Sequence, residues 1–213
     1  MIERATGLVL RTRPLTETSL IIHWLTAKFG RIKTVAKGAR RPKSPFRGKV
    51  DLFYLVDFSF NRSQRSELHN LREVSLQETF PALRRDLDYL NQASYCSQLI
   101  EQTSEAETPL PEIFELTRSF LSALATHPPA AVTILAFEIK LLSKLGLMPD
   151  VASSRLSPAA KQLLLQAVTE SWDQVASIAF PQSVCRELRQ FLHGFLIFHL
   201  GKIPAGRSTA WLQ

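Results

Sequence analysis

At Phe80-Pro81 the spacing of apolar residues changes from two to about 3.6, dividing the chain into a strand-forming part and a helix-forming part. Before it, short runs alternate. Gly7–Arg13 sets Val9, Arg11 and Arg13 on one face and Leu8 and Leu10 on the other. Ser19–Thr26 is an apolar run carrying Trp24, and Ala27-Lys28-Phe29-Gly30 supplies a turn. Arg31–Lys37 places Ile32, Thr34 and Ala36 against Arg31, Lys33, Val35 and Lys37, the pattern of a half-buried strand with a basic outer face. Leu52–Phe60 and Leu68–Thr79 add two more strands. After residue 80 the period is helical. One helix ends near Thr103, and a second carries the stripe Ile113, Leu116, Phe120 and Leu124. A third, Ala130–Leu145, is apolar nearly all round. A fourth starts at Ser157-Pro158, and the last is Gln182–Leu200. The expected fold class is α+β, an all-β barrel over 1–80 followed by an all-α domain over 81–213.

Charge follows the same division. Residues 1–80 hold 15 Lys and Arg against 7 Asp and Glu, whereas 81–213 hold 11 against 12, so the excess of +7 arises wholly in the strands. Between Glu17 and Asp51 there is no acid, and nine basic residues fall in that interval. Like charges on a folded surface repel, so a one-sign block implies a polyanionic partner, with nucleic acid the first candidate. Five short strands interrupted by one basic loop suit a small closed barrel of the oligonucleotide-binding (OB) type. Arg31, Lys33, Lys37, Arg40, Arg41, Lys43, Arg47 and Lys49 are the expected phosphate contacts. Phe46, between Pro45 and Arg47, has two readings: its ring stacks on a base, or it tucks back onto the barrel. Trp24 reads as core.

Catalysis finds little support. The chain has no phosphate-binding GxxxxGK[ST], no GxGxxG, no HExxH and no GxSxG. Its five histidines lack ligand spacing, and Cys96 and Cys185 belong to no CxxC pair, so no metal or other cofactor is expected. The N-terminal apolar run is too short for a signal peptide and Phe191–Leu200 is too short to span a bilayer, which reads as a soluble cytoplasmic protein.

Arg13-Pro14, Glu17-Thr18-Ser19-Leu20, Phe29-Gly30-Arg31, Val35-Ala36-Lys37-Gly38-Ala39-Arg40 and Lys43-Ser44 fall in an order and spacing that resembles the RecO family of bacterial recombination mediators. Leu71-Arg72-Glu73, Phe137-Glu138, Leu141-Leu142, Leu145-Gly146 and His199-Leu200-Gly201-Lys202 extend the resemblance along the chain. It implies an N-terminal OB domain and a C-terminal helical domain. It also implies a non-enzymatic protein that binds single- and double-stranded DNA, anneals strands, and works with RecR. Contact with the C-terminal tail of the single-strand-binding protein would help to load RecA at gaps beside the nucleoid. Arg118, Lys140 or Lys144 are expected counter-charges for that acidic tail.

Two segments depart from the family pattern. Where many members carry a four-cysteine zinc segment, Met148–Arg155 runs almost directly into Ser157-Pro158 without a cysteine. The basic C-terminal segment is replaced by Ala205-Gly206-Arg207-Ser208. The competing reading is a protein-interaction adaptor whose basic loop receives an acidic protein tail.

Overall fold

Alternating Val, Ile, Leu and Phe residues carry the first part of the chain through five strands. They are β1 (Ile2–Pro14), β2 (Leu20–Thr26), β3 (Gly30–Ala36), β4 (Leu55–Asn61) and β5 (Leu68–Glu78). The structure is a computed structural model describing every residue except Phe180, Leu212 and Gln213. The strands form a closed barrel in the order β1-β2-β3-β5-β4, with β1 returning to β4. All neighbours are antiparallel except β3 and β5, whose short parallel pairing closes the barrel. This is the expected OB barrel followed by helices, an α+β fold. Trp24 is fully buried at the centre. It stacks on Phe58 with ring centroids 4.1 Å apart and donates its indole N–H to Thr34 Oγ1 at 2.8 Å.

The first strand departs from the simple alternation. Val9 lies opposite Trp24, but Arg11, two residues on, lies opposite His23, only one step along β2. One extra residue is therefore accommodated on β1, and the bulge reverses the parity of everything beyond it. Val9 packs in the barrel interior while Arg11 and Arg13 face solvent, so they do not share a face as their spacing suggests.

The barrel's compact unit also takes in a later segment of the chain. One compact unit comprises Met1–Phe80 together with Ser104–Arg118, and the other comprises Pro81–Thr103 and Ser119–Gln213. Backbone bonds tie the inserted segment to the barrel: Glu107 N–H donates to Arg31 O (2.9 Å) and Leu110 N–H to Ala27 O (3.1 Å). His69, almost wholly buried and stacked on Phe60, lies 3.3 Å from a Glu107 carboxylate oxygen, and Arg62 pairs with the same carboxylate. Gly30, at φ +61°, lies so close to the segment that a Cβ there would sit 1.7 Å from Thr108 O. The helical period of the later part hides a stretch whose backbone belongs to the strands.

In the second unit the helices are α1 (Leu87–Thr103), the end of α2 (Pro111–Thr126), α3 (Ala131–Lys144), α4 (Pro158–Thr169), α5 (Trp172–Ser177), α6 (Gln182–Leu200) and α7 (Arg207–Ala210). The short helices α5 and α7 carry no clear period in the sequence. α3 is central, with ten of its residues buried, so its all-round apolar surface is consumed by packing. It ends in a Schellman closure in which Leu147 N–H meets Leu142 O at 2.8 Å and Gly146 N–H meets Ser143 O at 3.1 Å.

One buried residue of α3 is charged. Glu138 is fully buried and receives two bonds from Arg207 of α7, Nε to Oε1 at 2.7 Å and Nη2 to Oε2 at 2.8 Å. Tyr95 donates to the same carboxylate at 2.6 Å and Trp211 at 3.1 Å. Burial, and next the Glu138 charge, push the Tyr95 phenol upward, so it stays a donor. The altered C-terminal segment thus turns its arginine inward. Among the described residues, no helix is long and apolar enough to cross a membrane.

Candidate nucleic-acid interface

The basic loop leaves β3 at Ala36 and proceeds as a series of turns. Backbone N–H groups of Ala39, Arg41, Ser44, Arg47 and Lys49 each bond the carbonyl three residues back, at 3.0–3.3 Å. Gly38 and Gly48 sit at φ +70° and +71°, a left-handed conformation that costs glycine nothing. The loop is also fastened to the β1–β2 connection, where Arg40 N–H donates to Thr18 O at 3.0 Å. Ala39 and Phe46 complete its attachment by joining the barrel core.

That attachment decides between the two readings of Phe46. The ring is 6% exposed and packs in the cluster with Trp24, Phe58 and Phe60, so it offers no face to a base. Transferring a phenyl ring from water to the core is worth about 1.5–3 kcal/mol, which the solvent-exposed alternative forfeits. Phe46 is an anchor, and the stacking role is withdrawn.

With the ring inward, the cations point outward. Lys37, Arg40, Arg41, Lys43, Arg47 and Lys49 are all exposed, and none is paired with a carboxylate among the described residues. Two guanidinium groups brace the loop itself, Arg47 on Pro42 O at 3.1 Å and Arg40 on Thr16 O at 3.5 Å. Each retains further N–H groups for an anion.

The two strand residues of the expected set stand differently. Lys33 is half-buried and ion-pairs with Glu67 at 3.3 Å. Arg31 is committed to Ser104, with Nε on Ser104 Oγ at 2.8 Å and Nη2 on Ser104 O, so it secures the inserted segment rather than the exposed cationic surface. In exchange, the bulge adds two residues that the alternation hid. Arg11, His23 and Lys33 are register partners across β1, β2 and β3, and exposed Arg13 lies opposite Ile21 one row nearer the loop.

Other features compete poorly for a polyanion. A cleft of about 780 Å³ in the barrel unit is lined by Arg4 and Lys28 but equally by Asp57 and Glu73. In the helical unit, Lys140 Nζ caps the end of α4 through Val168 O (2.9 Å) and Glu170 O (2.7 Å), and burial draws its pKa down. Arg118 is held by Glu115. Neither is the uncommitted counter-charge that an acidic tail needs. Among the described residues no group of three or more His, Cys, Asp and Glu could hold a metal ion.

Fold and site together define a class: an OB barrel with a rigid polycationic loop, joined to a helical unit. Within that class, residues 1–80 match the family described as Recombination protein O N terminal, and residues 84–155 match Recombination protein O C terminal. The DNA repair protein RecO of Anaeromyxobacter sp. (strain K) is 34% identical over 146 residues, 68% of this chain and 58% of that protein. The DNA repair protein RecO of Rhodopirellula baltica is 34% identical over 143 residues, 67% and 53% of the two chains, and that of Alkaliphilus metalliredigens 33% over 154, 72% and 62%. The chain belongs to the RecO family of DNA repair proteins. It spans little more than half the length of the relatives it matches.

Proposed function

We propose that this protein is a non-enzymatic DNA-repair mediator that binds single- and double-stranded DNA through the barrel unit. One observation carries the reading: six exposed, carboxylate-free cations on a loop whose backbone is fixed by successive turns and by the buried Phe46 ring. Cations on a stiff support neutralise phosphates without reading bases, so affinity arises from counterion release and is indifferent to sequence. Arg11, Arg13 and Lys33 would extend the phosphate track down the outer face of β1–β3. On family grounds the protein anneals strands and helps to load recombinase on gaps coated by single-strand-binding protein, with RecR and that protein's acidic tail as partners, in the cytoplasm at the nucleoid.

Anisotropy titrations with an unstructured oligonucleotide over a range of salt test this. The Arg40→Ala, Arg41→Ala, Lys43→Ala triple variant is expected to flatten the single-strand log–log salt slope by roughly two units, at about 0.7 per phosphate contact. Adding Arg11→Ala and Arg13→Ala takes off roughly 1.4 more on the same scale. Unchanged affinity and slope in the triple variant would leave the adaptor reading in front. Short oligonucleotides would then fail to displace an acidic peptide from the loop.

A further inference from the structure

Of the five histidines, His69 alone is buried, and it takes no part in the phosphate track. It lies at the start of β5, in register with Thr34 of β3, and stacks on Phe60 with ring centroids 5.2 Å apart. The charged groups facing it are Glu107 of the inserted segment and Arg62 of the β4–β5 connection. From β3 it meets neutral Thr34, and from β4 the Phe60 ring.

The two ring nitrogens are engaged differently. Nδ1 accepts the Ser63 N–H at 3.2 Å, so in the neutral ring the proton sits on Nε2. Nε2 lies 3.3 Å from Glu107 Oε1, within ion-pair reach but outside hydrogen-bond geometry. A buried N–H set against a carboxylate that it does not bond leaves the neutral ring under-satisfied. A second proton, on Nδ1, gives the ring a positive charge that Glu107 is already placed to balance. The same proton takes the acceptor away from Ser63, and two N–H donors then face each other.

Ser63 belongs to the β4–β5 connection, residues 62–67. Its other bonds are largely internal: Arg65 N–H and the Ser66 hydroxyl meet Ser63 Oγ, and Ser66 Oγ closes on Leu68. Arg62 is held at the near end, by Met1 O and by Glu107. At the far end Glu67 pairs with Lys33 at 3.3 Å, but its side chain is 70% exposed, and an ion pair so open to water holds weakly. The Ser63–His69 bond therefore ties the exposed part of the connection to the barrel interior. That part carries the carboxylate that engages Lys33.

We infer that His69 is a proton-operated latch: when its ring becomes charged, Ser63 is released, residues 63–67 swing out, and Glu67 leaves Lys33. Glu107 keeps its hold on the ring, so the inserted segment stays docked while the connection opens. Burial lowers the His69 pKa, with Glu107 opposing and Arg62 assisting, so the latch opens below the ordinary histidine range. The opening is independent of the proposed function. Only its effect on DNA, a cation gained at Lys33, rests on that reading.

Amide hydrogen exchange of the full-length protein at pH 7.5 and 5.0, corrected for the intrinsic pH dependence of exchange, tests the latch. Residues 63–67 should lose protection about 2- to 13-fold at the lower pH, the equivalent of one hydrogen bond. Glu107 N–H, bonded to Arg31 O, should keep its own. His69→Gln should abolish the difference. Should that variant not fold, nitrogen-15 shifts of the His69 ring in the parent serve instead. Nδ1 is then expected to gain its proton over the pH interval in which the Ser63 amide loses protection. Protection that is unchanged, that falls equally across the barrel, or that falls also in His69→Gln overturns the inference. The single-strand salt slope, measured in a His23→Gln background because His23 is the register partner of Lys33, should steepen by about 0.7 at pH 5.0. That steepening should vanish when His69→Gln is added. An opened connection with an unchanged slope leaves the latch standing and removes Lys33 from the phosphate track.

Discussion

The basic loop and the α7 anchor use arginine in opposite ways. In the loop, Arg40, Arg41 and Arg47 face water; Arg40 and Arg47 donate to backbone carbonyls, and none of the three pairs with a carboxylate among the described residues. In α7, Arg207 is 6% exposed and closes a fork-to-fork pair with fully buried Glu138, which Tyr95 and Trp211 also serve. An exposed cation keeps its hydration until an anion displaces it, so its interactions follow ionic strength. A buried one has already exchanged water for fixed partners, and removing either partner strands a charge in a low dielectric. Position relative to solvent, rather than residue type, decides whether a cation is available to a ligand.

The largest effect tests the buried side of the comparison. Arg207→Ala should cost about 3–5 kcal/mol by leaving Glu138 without its counter-charge. Urea denaturation should give the same loss at low and high salt. A loss that disappears in salt would mean that water reaches the pair. Phe46→Ala comes next, since deleting a buried phenyl costs about 3–5 kcal/mol where the site cannot collapse. Under conditions where the variant remains folded, its loop loses its anchor and DNA affinity falls. If affinity instead falls with no change in melting temperature, the ring was meeting DNA after all.

The smallest effect concerns the barrel's own buried ionisable group. Burial lowers the His69 pKa, opposed by Glu107 and helped by Arg62. The unfolded chain then binds the His69 proton more readily than the folded one. Stability is complete above the ordinary value of about 6.5 and declines as pH falls below it toward the lowered folded value. Replacing His69 by Gln should remove that part of the slope in denaturation midpoints between about pH 7 and 5. A midpoint that rises on acidification would show the Glu107 attraction outweighing burial.

Much of this was legible in the sequence, for identifiable reasons. The change of period at Phe80-Pro81, the burial of Trp24 and the projection of the loop cations follow from patterns of polarity, which the fold obeys. Arg31 was misplaced because a cation bound to Ser104 and a cation bound to water are identical in sequence. The bulge between Val9 and Arg11 changes the phase of an alternation without leaving a mark in composition. Ser104–Arg118 joins the barrel through main-chain bonds and through Arg31–Ser104 and Arg62–Glu107 contacts, to which side-chain periodicity is blind. Arg207 lies 69 residues from Glu138, so only the fold brings them together.

The succession of four-residue turns between Ala36 and Lys49 has a thermodynamic meaning for recognition. A floppy basic segment must surrender backbone freedom when it meets its ligand, at about 1–2 kcal/mol for each residue fixed. Here that freedom is already lost when the protein folds. On the proposed function, an encounter with DNA would need only side-chain rotations and the release of ions. Association should therefore proceed without a slow ordering step, and with a heat-capacity change too small for coupled folding.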